Sequence, residues 1–147
     1  MPDFTRKTAG HWLALLASAS LCASAYAHEL EIHGSNTVGA TLAPMLVSGY
    51  LAQQGNGSVS RRATGTENEQ ILLTETEQGP ISVLVAAHGS STGFRTLASG
   101  QAQIWASSRP VKAAEAEQVR QKADLTALES EHVIAIDGLP VLVHPEN

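Results

Sequence analysis

Strand-like apolar runs recur along this chain, and three of them are followed by a small polar turn and then by helical spacing. Glu29-Leu30-Glu31-Ile32-His33 alternates polar and apolar, which predicts a short strand. Gly34-Ser35-Asn36-Thr37-Val38-Gly39 follows. Leu42, Leu46, Val47, Tyr50 and Leu51 then recur at the spacing of one helix face up to Gln54, where Gly55-Asn56-Gly57-Ser58 stops the helix. Residues 59–79 are polar, with Thr64-Gly65-Thr66-Glu67 as turn material and Glu69–Leu73 open to either a strand or a short helix. Ile81–Ala87 is the most strand-like run, apolar almost throughout, as in a strand buried on both faces.

His88-Gly89-Ser90-Ser91-Thr92-Gly93 leads from that strand into a helix over 92–99, which Gly100 ends. Residues 101–106 then read as another short strand, opening into Ser107-Ser108-Arg109-Pro110. Pro110 stands near the start of a helical segment, Lys112–Ala123. His132–Ile136 and Leu139–His144 are two further apolar runs broken by Asp137-Gly138, either consecutive strands or one bent strand.

Strands alternating with helices predict an α/β layer with a mainly parallel sheet flanked by helices. In such sheets ligands bind beyond the carboxyl ends of the strands. The turns Gly34–Thr37, Gly89–Thr92 and Ser107–Arg109 all fall at those ends. Each one alone is satisfied by a helix N-cap with no ligand. Three together describe an anion socket, because first-turn N–H groups lack intrahelical partners and the helix dipole favours negative charge there. Ser and Thr hydroxyls add donors, and Arg109 offers a bidentate fork. The competing role for Arg109 is a surface ion pair with a helix carboxylate such as Glu115.

The two ends of the chain change the picture. Arg6-Lys7, the mostly apolar His11–Leu21 and the A-x-A site Ala25-Tyr26-Ala27 have the form of a secretory signal over residues 1–27, leaving a domain over 28–147. The expected location is the periplasm. Nothing later approaches the length of a membrane span. Cys22 is the single cysteine of the 147 residues and lies inside the signal, so no disulfide is expected. Setting aside Asp3, Arg6 and Lys7 takes the chain's 9 basic and 14 acidic side chains to 7 and 13. That balance, with few aromatics, argues against a nucleic-acid surface. His28, His33, His88, His132 and His144 show no metal-ligand spacing, and no cofactor is expected.

Gly89-Ser90-Ser91-Thr92-Gly93 also spells the G-x-S-x-G elbow of serine hydrolases, with Asp137 and His144 following in the order acid then base. The mature chain is short for the larger sheet in which that elbow usually sits.

Four segments in order, Ile32–Gly39, Gly89–Phe94, Ala106–Val111 and His132–Leu139, resemble the first lobe of the phosphate-binding proteins of ABC transporters. The resemblance implies a periplasmic-binding-protein type II fold and a non-enzymatic protein. It implies inorganic phosphate or a similar oxyanion as ligand and ABC transporter membrane subunits as partners. Carried over, Ser35, Asn36 and Thr37 would bind through the first turn, Ser90 and Ser91 through the second, and Ser108 and Arg109 through the third. Many members carry an aspartate where Ser108 stands, which weakens the expected rejection of sulfate. The family's second lobe is missing, so the expectation is a truncated chain. A third possibility is a scaffold or signalling module that keeps the fold without a ligand.

Overall fold

The computed structural model describes residues 30–138 and His144. The signal expected over 1–27 and the apolar run at 139–143 lie outside the described residues. Among the described residues five strands form one sheet in the order β2-β3-β4-β1-β5: β1 Leu30–Gly34, β2 Ser60–Ala63, β3 Glu69–Thr76, β4 Gly79–Ala86 and β5 Ile104–Ala106. Helices α1 (Ala43–Gln54), α2 (Ser90–Ser99) and α3 (Ala113–Val119) complete it, with a wide π-type turn, Val38–Leu42, leading into α1. No helix among the described residues is long and apolar enough to cross a membrane.

The sheet is mixed, which corrects the mainly parallel sheet expected from the sequence. β1 runs parallel to both β4 and β5, but β2, β3 and β4 form an antiparallel meander. One tight connection and one hydrogen bond at the far end of the β3–β4 ladder fix this. The β3–β4 ladder runs out to Thr76 opposite Gly79, so only Glu77-Gln78 joins the strands, and a two-residue loop allows antiparallel pairing alone. At the other end Asn68 takes φ 59°, a left-handed conformation that Asn tolerates, and its carbonyl accepts the Ala87 amide at 2.9 Å. Glu69–Leu73 is thereby settled as strand. β2 lies at the sheet edge and is tied to α1 by Arg61, whose guanidinium donates to Ser48 Oγ at 2.8 Å.

One face of the sheet carries the main core: Ile32, Leu72, Val83 and Val85 pack against Ala43, Val47 and Leu51 of α1. α1 buries Ala43, Pro44, Val47 and Leu51, about one position every turn, while Leu46 and Tyr50 stay 52% and 57% exposed. The single face expected from Leu42, Leu46, Val47, Tyr50 and Leu51 is thus split in two by the contact that α1 makes. Strand alternation puts His33 and Trp105 on the opposite face, where α2 lies. There Phe94 meets Trp105 edge to face, with ring centroids 5.7 Å apart.

Three segments are shorter or different from expectation. The strand read at 101–106 reduces to three residues, because Gln101 and Ala102 donate to Thr96 O as the close of α2. The helix read over Lys112–Ala123 ends at Val119, where Lys122 and Ala123 turn back onto its carbonyl. Residues 132–136 form no strand, and Val133 and Ile136 are 75% and 95% exposed.

Candidate functional site

Because β4, β1 and β5 are adjacent and parallel, their carboxyl ends lie side by side, and the three turns that follow them meet. Backbone hydrogen bonds stitch them together. Gly89 N donates to Gly34 O at 2.7 Å, and Ser35 N donates to Ala106 O at 2.7 Å. Gly89 has φ 98°, which a side chain would strain, and from it the chain turns into α2. Thr92 and Gly93 donate to Gly89 O. The Ser90 and Ser91 amides, ahead of them, have no acceptor among the described residues, as expected for the first turn of a helix.

Side chains then converge. Ser90 Oγ lies 3.3 Å from Ser108 Oγ and accepts the Ser108 amide at 3.3 Å. Trp105 Nε1 donates to Ser90 O at 2.7 Å, which fixes the second turn against the end of β5. Ser107 Oγ donates to Arg109 O and accepts Arg109 N, closing the third turn on itself. The Arg109 guanidinium sits 5.5 Å over the Trp105 ring and reaches Ser91 Oγ at 3.4 Å.

The expected residues therefore divide. Ser90, Ser91, Ser108 and Arg109 form one cluster. Ser35 is next to it through the backbone, but its side chain is buried and its Oγ accepts the Thr37 amide at 3.1 Å, which is a capping role. Asn36 and Thr37 are exposed on the first turn, and no hydrogen bond joins their side chains to the cluster. His33 and His88, each one residue ahead of a Gly-Ser turn, point elsewhere: His33 Nε2 lies 3.1 Å from Glu31 Oε2, and His88 Nε2 lies 3.0 Å from Glu67 O. No group of three potential metal ligands occurs among the described residues. A concavity of about 600 Å³ exists at the far end of the sheet, lined by Gln54, Gly55, Glu75 and Glu77 among others. Its carboxylates and the carbonyl end of α1 give it the wrong polarity for an anion.

One residue of the site goes beyond the sequence reading, and another was only an alternative in it. Trp105 was visible as a strand residue immediately before Ala106-Ser107-Ser108, and its alternation with Ile104 could have placed it. Glu115 was visible only as one possible partner of Arg109. The structure makes that pairing close: Nη2 donates to Oε1 at 2.6 Å and Nη1 to Oε2 at 2.9 Å. This hydrogen bond, helped by the Lys112 amide, lowers the Glu115 pKa from 4.5 to about 2 against the opposing effect of burial, and raises that of Arg109.

A folded-state pKa below the unfolded one stabilises the fold at pH above the unfolded value, and the contribution is lost as pH falls toward the folded one. Glu115→Gln removes this contribution. The stability gap between wild type and Glu115→Gln is expected to narrow as pH falls from about 5 to about 2.5, read by urea unfolding at both pH values. A constant gap would contradict the ion pair.

No family model, characterised protein or solved structure matches the chain. The functional reading therefore rests on the cluster itself.

Proposed function

We propose that this domain binds an oxyanion, inorganic phosphate first among them, at the joined ends of β4, β1 and β5, and that it binds without catalysing. The observation that carries this reading is the Ser90–Ser91–Ser108 group of hydroxyls beside two first-turn amides of α2 and the edge of an arginine. Such donors replace the hydration shell of a tetrahedral anion and require no reacting group. The Ser91 hydroxyl accepts from the Arg109 guanidinium at 3.4 Å, so the neighbour that the structure gives it is a cation, which cannot act as its general base. The resemblance to phosphate-binding proteins extends the proposal to an exported protein of type II periplasmic-binding fold that serves an ABC-type uptake or sensing system.

Titration calorimetry of the whole chain with phosphate, sulfate and molybdate tests it. Phosphate is expected to give saturable heat, and Ser90→Ala should weaken binding by about 1 kcal/mol, roughly fivefold, for one neutral hydrogen bond. Silence with all three ions sinks the reading. Hydrolysis of a para-nitrophenyl ester that disappears in Ser91→Ala would replace it with a serine hydrolase.

A further inference from the structure

Arg109 does not meet the serine cluster as a bare cation. Nη1 donates to Glu115 Oε2 at 2.9 Å and to Pro110 O at 3.0 Å; Nη2 donates to Glu115 Oε1 at 2.6 Å and to Ser91 Oγ at 3.4 Å. The terminal N–H groups are thus all directed, and the one aimed at Ser91 makes the longest bond. That N–H is the one an incoming oxygen can take at least cost. Glu115 cannot easily swing away, because Oε2 also accepts the Lys112 amide at 3.0 Å in the capping box that starts α3. Its side chain is only 13% exposed, and Arg109 is held from below by the Trp105 ring.

We propose that Glu115 is a positioning and charge-setting residue of the oxyanion site. It aims one edge of the Arg109 guanidinium at Ser91, the neighbour in sequence of Ser90, whose partner is Ser108, and it cancels much of the arginine's charge there. The inference rests on the oxyanion reading above. An arriving anion meets an ion pair, so recognition depends on the geometry of hydroxyl and amide donors more than on net charge. Affinity is held below what Arg109 alone would confer, and salt affects it only weakly, since little uncompensated charge remains to be screened.

The test is calorimetry with inorganic phosphate on the whole chain, comparing wild type, Glu115→Gln and Glu115→Ala. Gln keeps the length of the side chain, and its one carbonyl oxygen can accept both the Lys112 amide and one guanidinium N–H as Oε2 does; it removes the charge and replaces the second acceptor by an NH2 group. Glu115→Gln is expected to bind phosphate roughly three- to tenfold more tightly, the size of one nearby charge removed from a partly screened site. Glu115→Ala should fall below Glu115→Gln, because Arg109 is then no longer aimed. On wild type alone, raising salt from about 50 to about 500 mM should change the dissociation constant by less than about threefold. Equal or weaker binding by Glu115→Gln, or a salt effect above tenfold in wild type, overturns the role of Glu115 while leaving the oxyanion reading intact. No heat from wild type or either variant overturns both.

Discussion

Gly34→Ala is expected to unfold the chain or to lower its stability by at least ~3 kcal/mol, the upper part of the range for overpacking, because the obstruction is backbone. A Cβ on Gly34 would overlap the Ala106 carbonyl oxygen and stand 2.6 Å from its carbon. No rotamer relieves this. The Ala106 carbonyl is held by the Ser35 amide at 2.7 Å, and Gly34 O is held by the Gly89 amide at 2.7 Å. On the other side Gly93 of α2 packs so closely that its own Cβ would lie 2.5 Å from both Gly34 Cα and His33 O. Three backbones, from β1, β5 and α2, meet at a place that has room for no methyl group. Urea unfolding of Gly34→Ala beside Gly49→Ala makes the comparison. Gly49 is exposed inside α1 with nothing within 4 Å of a built Cβ, so its replacement should be neutral or stabilising by up to about 1 kcal/mol. A wild-type midpoint for Gly34→Ala would mean that β5 does not lie against β1 as described.

Arg109→Ala should weaken phosphate binding by at least ~3 kcal/mol, more than a hundredfold in Kd. Two losses combine. The charge-assisted donor beside Ser91 disappears, which alone is typically worth about 1.5–3 kcal/mol. The Glu115 carboxylate, only 13% exposed and now without its cation, then faces the anion directly. The second loss has its own signature: in Arg109→Ala/Glu115→Gln the repelling charge is gone, so affinity should recover part of the way from the single replacement. Additive effects in that cycle would mean that the two residues do not act on the ligand as a pair. Unchanged binding in Arg109→Ala would confine the arginine to joining β5 and α3.

Much of the layout could be read from residue pattern. β1, β4 and α2 announce themselves because strand period, turn residues and helix spacing act within a few positions, and Gly100 closes α2 in a left-handed conformation with φ 84°. The antiparallel half was not legible. Glu69–Thr76 mixes Ile71, Leu72 and Leu73 with polar residues, and only its pairing to β4 shows that Leu72 faces α1 while Ile71 and Leu73 face away. Within the candidate site, Ser90, Ser91 and Ser108 were legible as residues of strand-end turns. The capping role of Ser35 and the grip of Glu115 on Arg109 were both foreseen as alternatives, and a linear pattern carries no information on which alternative a side chain takes.

By itself, then, the sequence determined where strands give way to polar turns and where helices begin, since those are set by local side-chain period and by the few residues that accept unusual φ. Only the tertiary structure decided that the turns after β4, β1 and β5 share one end of a mixed sheet, that Ser90 meets Ser108 across 18 positions, and that Arg109 is already engaged by a carboxylate. The physical reason is that those contacts follow from strand order and from competition among partners in space, and neither is a property of any short stretch of chain.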